Sequence, residues 1–157
     1  MDILRMNREN DTMRVNDEGS NYQVSGLDSN TTLIVRLNSD NLFEGSRDKI
    51  NVLGYVDGLE FDDPNNRLIY LAKHLTRDGF NVALSTSYRS RLAGDADVVL
   101  NGHRDKDFLE RLSRNAEGKR IIGEQEILGI QDNDSYQSFI SELRDYHHNQ
   151  VNQRHTA

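Results

Sequence analysis

From residue 50 onward, short apolar runs alternate with amphipathic stretches. The runs cover residues 50–56, 81–84, 98–100 and 120–122. Between them, residues 67–77 place Leu68, Leu71, Ala72 and Leu75 on one face at helical period. Residues 106–116 do the same with Phe108, Leu109 and Leu112. Short strands separated by helices predict a parallel sheet covered on both faces. Residues 85–97 leave no room for a helix between the second and third strands, so the order is β-α-β-β-α-β. A further helix carrying Phe139, Ile140 and Leu143 follows. Asp62, Asp63 or Asn65 is expected to cap the first helix, Asp105 the second and Asp134 or Ser135 the last. Gly79 and Gly118 are expected to end the first two.

Residues 1–46 have no helical period and are rich in Asn, Asp, Ser and Gly. Residues 12–15, 22–24 and 32–37 read as short strands, with turn residues clustered at 16–20 and 27–30. In the last of these, Leu33, Val35 and Leu37 share one face, which predicts a strand resting on a core through that face. The division expected is a β-rich or partly disordered extension over 1–46, an α/β domain over 47–146 and a flexible tail over 147–157.

Composition narrows the functional classes. The 157 residues carry a net charge of −7, which argues against nonspecific coating of nucleic acid. There is no cysteine, so disulfides and thiolate metal sites are excluded. No run approaches the roughly 20 apolar residues of a membrane span, so a soluble cytoplasmic protein is expected, or one of the nucleoid or nucleus if it associates with DNA. His147 and His148 lie near Glu142 and Asp145 but lack the spacing of a metal motif, and no cofactor is expected.

Three segments resemble the BRCT family. Asp78-Gly79-Phe80-Asn81-Val82 resembles its Gly-Gly-x-Val turn between helix 1 and strand 2, with Phe80 in place of the second glycine. Ala96-Asp97-Val98-Val99-Leu100-Asn101-Gly102 resembles its third strand. Ile121-Ile122-Gly123 through Ile127-Leu128 resembles its Ile-Ile-Ser-x-x-x-Phe-Leu segment. The likeness covers about residues 47–145. It implies a small four-stranded parallel sheet in the order 2-1-3-4, flanked by three helices. The family's helix 3 tryptophan is absent, which leaves Tyr136 or Phe139 to fill its space. The implied function is a non-enzymatic interaction module of DNA replication or repair. Its partner would be a protein, a phosphorylated peptide or a 5′-phosphorylated DNA end.

The resemblance also implies a phosphate site after strand 1 and at the start of helix 2. Gly54 matches its glycine and Lys106 its lysine, whereas Leu53 stands where the hydroxyl belongs. A hydroxyl and an amide that donate, beside an ammonium that neutralises, suit a phosphate. Arg89 and Arg104 are the candidate additional donors, and Thr86 and Arg91 are candidate partner contacts in the hydroxyl-rich segment 85–91. A competing likeness is to the haloacid dehalogenase phosphatases, through a strand ending in Tyr55-Val56-Asp57-Gly58 and a later Ser/Thr strand end at Thr86. Tyr55 occupies their nucleophile position and cannot form an aspartyl phosphate, so this reading gives a degenerate relative. Asp132 and Asp134 would stand for their later metal-binding carboxylates. A third class is an acidic protein that modulates a basic partner.

Overall fold

The computed structural model describes residues 12–17, 19–25, 33–37, 42–43, 49–58, 66–102, 105–116 and 118–156, with side chains to residue 148 other than that of Leu33. The strands are β1 (Thr12–Asp17), β2 (Ser20–Ser25), β3 (Leu33–Arg36), β4 (Asn51–Tyr55), β5 (Asn81–Ser85), β6 (Val98–Asn101) and β7 (Arg120–Ile122). The α-helices are α1 (Arg67–Arg77), α2 (Lys106–Asn115), α3 (Glu124–Leu128) and α4 (Asn133–Thr156). A 3₁₀ turn over Ser90–Asp95 links β5 to β6.

All seven strands form one mixed sheet in the order β3-β2-β1-β5-β4-β6-β7. The small four-stranded parallel sheet expected from the sequence is therefore not what forms. Five strands run parallel, because β1 adds to the outer edge of β5 with Val15 opposite Leu84. The hairpin partners β2 and β3 continue the sheet antiparallel. The boundary expected near residue 46 does not divide the sheet, and α4 runs on through Thr156, past the start of the tail expected at 147.

Two cores lie on opposite faces. One joins Val52 and Leu84 of the sheet to Leu68, Leu71 and Leu75 of α1 and to Phe139, Ile140 and Leu143 of α4, and it takes in Met13, Val15 and Val24. The other packs Leu53, Tyr55 and Val99 under Phe108 and Leu112 of α2, with Leu42 and Phe43. Tyr136 and Phe139 both enter the first core. Alternate residues of β4 serve opposite faces, as the pleat requires.

Local signals set the element ends. Asn66 caps α1, its side chain accepting from the Ile69 amide at 3.1 Å. The expected caps Asp62, Asp63 and Asn65 lie outside the described residues. Gly79 ends α1 at φ +93°, a conformation that L side chains rarely adopt. At α4 the cap is Asp132, two and three residues before the expected Asp134 and Ser135. Its Oδ1 accepts from the Ser135 amide at 2.8 Å, and the Ser135 hydroxyl accepts from the Asp132 amide at 3.1 Å. This reciprocal pair is a capping box. The expected core-facing strand at 32–37 is an edge strand instead, with Val35 47% and Ile34 56% exposed.

Candidate functional site

In a parallel sheet the strand ends that precede helices form the usual ligand crevice. Here that edge collects Asp17 of β1, Asp57 after β4, Ser85 to Arg89 at and after β5, and Asp105 and Lys106 before and in α2. Most of its polar groups are engaged with one another. Thr86 donates its hydroxyl to Asp17 Oδ1 at 2.5 Å and its amide to the Asn16 carbonyl at 2.9 Å. The Asn16 side chain, buried, donates to Asn21 Oδ1 at 2.8 Å. Ser85 is buried, with its hydroxyl donating to the Ser87 carbonyl at 2.8 Å and accepting from the Ser87 amide at 3.1 Å. The Thr86 hydroxyl and amide tie the β1–β2 hairpin to the end of β5, while the Ser85 hydroxyl closes the turn at Ser87.

Gly54 lies within β4, not after it. It is in register with Leu84 on one side and Leu100 on the other. A Cβ there would come within 2.8 Å of Leu84 Cδ2 and 2.9 Å of Leu68 Cδ2. The glycine thus admits α1 to the sheet; its amide belongs to a paired strand and does not open onto the edge. Leu53 is fully buried in the opposite core. Lys106 is exposed in the first turn of α2, flanked by Asp105 and Asp107. The Asp105 carboxylate accepts from the amides of Asp107 and Phe108 at 2.8 and 3.3 Å, so the anion-binding end of that helix already holds a carboxylate.

Arg89 and Arg91 are both exposed. The Arg89 guanidinium passes over Gly19, 3.7 Å from where a Cβ would stand. Arg104 lies outside the described residues. The contact of Tyr88 with Phe108, ring centroids 5.2 Å apart, brings the segment bearing Arg89 against the first turn of α2. Gly54 does not join them, and Thr86 is turned toward Asp17.

The degenerate-phosphatase reading meets a similar difficulty. Tyr55 is fully buried and its hydroxyl donates to the Arg89 carbonyl at 2.8 Å. Burial pushes its phenol well above the ordinary tyrosine range. Asp57 accepts a hydrogen bond from the Tyr88 hydroxyl. Burial, and then this contact with Asp57, push the Tyr88 phenol up as well. Asp132 and Asp134 belong to the α4 cap, not to a strand end. Among the described residues no cluster of three His, Asp or Glu is placed to hold a metal ion.

A second concavity was not evident in the sequence. It is a cleft of about 320 Å³ between α1 and the start of α4. Leu71 and Ile130 are its aliphatic lining, and Arg67, Asp78 and Asp132 supply its charges. Tyr70, His74 and Tyr136 form a run of rings along it. Tyr70 and His74 meet edge to face at 4.4 Å, and His74 and Tyr136 are tilted at 5.5 Å. The Tyr136 hydroxyl donates to Asp78 Oδ2 at 2.5 Å, and burial is the main reason its phenol is pushed up. Bonds from Ser135 hold the Asp132 carboxyl below the ordinary carboxylate range, so it is ionised at neutral pH. Tyr70 is 51% exposed, the one aromatic among the exposed large hydrophobic residues described. With Arg67 and His74 it makes a helical i, i+3, i+7 pattern, legible on α1 alone; the opposing wall comes from residues about sixty positions later.

No helix among the described residues is long and apolar enough to cross a membrane. No family model, no curated protein and no solved structure matches this chain.

Proposed function

We propose that this chain is a non-catalytic interaction module of the BRCT type that binds a protein partner, in the replication or repair setting the resemblance implies. The observation that carries this reading is the arrangement of four strands. β5, β4, β6 and β7 are consecutive and parallel, and β5 passes to β6 through a 3₁₀ turn without an α-helix. In chain order this is 2-1-3-4, the order the resemblance implies. The strands β1 to β3 are an addition that the resemblance does not cover.

A protein partner is favoured over a phosphorylated peptide or a 5′-phosphorylated DNA end. Gly54 is packed under α1, and Lys106 is flanked by two carboxylates, which leaves the phosphate site without its amide and with a weakened cation. Binding of 5′-phosphorylated and unphosphorylated duplexes should therefore be equally weak, and Lys106→Glu should not separate them. Phosphate-specific binding lost in that variant would transfer the partner to DNA. Incubation with a phosphomonoester and Mg²⁺ should give no turnover. Turnover abolished by Asp57→Asn would overturn the module reading in favour of the phosphatase.

A further inference from the structure

The α1–α4 cleft has the anatomy of a side-chain pocket: an exposed aromatic ring, aliphatic lining and a carboxylate at the rim. Its volume of about 320 Å³ is at the small end of ligand sites, enough for one long side chain and its neighbours. Exposed tyrosine in a concavity is the kind of residue on which binding energy concentrates.

Charge selects the occupant. The lining has one cation, Arg67, against two carboxylates, Asp78 and Asp132. Asp78 is engaged by the Tyr136 hydroxyl at 2.5 Å, with Arg77 and Arg144 close to that tyrosine. Asp132 differs: it is exposed and ionised, and the donors that hold it are those of its own helix cap, the Ser135 amide first among them. The faces of Tyr70 and Tyr136 carry negative quadrupole potential, which attracts a cation. The whole chain, at net charge −7, draws cations toward it over longer range. Of the two basic side chains, arginine fits better. Its planar guanidinium stacks on an aromatic face and offers a fork of donors to a carboxylate, whereas lysine presents a compact, strongly hydrated charge.

We infer that this cleft receives an arginine side chain of the partner protein, stacked on Tyr70 and hydrogen-bonded to Asp132. The inference rests on the interaction-module reading and names its partner's chemistry: a protein that presents an exposed arginine.

The test uses the full chain and three capped tripeptides, glycine-X-glycine, in which X is arginine, lysine or citrulline. Citrulline keeps the shape of arginine and removes the charge. Backbone amide shifts followed by NMR report where each peptide binds. The arginine peptide should bind at about 1 mM, the range of a single weakly held contact, and shift Tyr70, His74, Gln131 and Tyr136. Lysine should bind more weakly and citrulline not at all. Asp132→Asn should weaken arginine binding about fivefold, the range of an exposed ion pair. Asparagine caps helices as well as aspartate does, so this variant keeps α4. Tyr70→Ala should weaken binding about three- to fivefold. Asp107→Asn, the same charge change on α2, should leave it unaltered.

Shifts spread over the acidic surface, and equal effects of Asp132→Asn and Asp107→Asn, would overturn the inference. So would equal binding of arginine and citrulline, or none by arginine. None of these results touches the module reading, which falls instead to phosphatase turnover dependent on Asp57.

Discussion

At Gly54 the lack of a side chain decides how closely α1 approaches β4. Leu68 and Leu84 meet over its Cα, each with a methyl group within 3 Å of the missing Cβ position. Gly54→Ala forces both leucines to move. They are flexible at their ends, so the domain should still fold, with a loss of about 1–3 kcal/mol, the range for overpacking a filled core. Chemical denaturation of the two proteins checks this; a stabilised variant would show that α1 stands farther from the sheet. The same residue shows where single-residue reading stops. A glycine in the run Ile50-Asn51-Val52-Leu53-Gly54-Tyr55-Val56 marks a close approach of something, and the run itself does not say of what. The resemblance points to a phosphate; the packing supplies leucine methyls. The likeness also leaves a strand end at Gly54, whereas β4 continues through Tyr55 because that ring buries against Phe108, centroids 4.9 Å apart.

At the scale of elements, α1 separates its two jobs by face. Leu68, Ala72 and Leu75 go to the core, Arg67, Tyr70 and His74 line the cleft, and Leu71 belongs to both. Leu71 is 4% exposed, so Leu71→Ala should cost about 2–5 kcal/mol in thermal or denaturant unfolding. A change under about half a kcal/mol, as at surface positions, would mean that the helix does not bury this face. The α1 and α2 spans and the four strands from β4 to β7 were legible because each is a local pattern, a 3.6-residue period or a short apolar run between turn residues. The caps at Asn66 and Asp132 were less so, since each competes with other Asp and Asn residues nearby and only geometry selects one. The opposite failure occurs at β3. Its alternation of apolar residues promises a buried face, yet an edge position leaves Ile34 and Val35 half exposed. Periodicity specifies a strand, but the rest of the sheet decides whether that strand has a cover.

The position of β1 is a property of the whole molecule. Nothing within Thr12–Asp17 names its parallel partner, which lies about seventy residues away in β5; the bonds from the Thr86 hydroxyl to Asp17 and from the Thr86 amide to the Asn16 carbonyl cross that separation. For the same reason the N-terminal strands read as an extension from sequence, although Met13, Val15 and Val24 are each 1% exposed and lie in the α1 core. Removing residues 1–46 would take these three side chains away. Each buried aliphatic side chain contributes about 1.5–3 kcal/mol, and the total approaches the whole stability of a typical domain, about 5–15 kcal/mol. The cut would also expose the ladder edge of β5, an invitation to aggregation. The truncated chain should therefore melt far below the full chain, without a cooperative transition, and its β5 amides should exchange rapidly. A truncated chain that melts cooperatively at the original temperature would show that residues 47–146 fold alone and that β1 to β3 only rest against them. Whether this chain behaves as one folding unit turns on that comparison, because the β1–β5 ladder is the only pairing that joins the two halves of the sheet among the described strands.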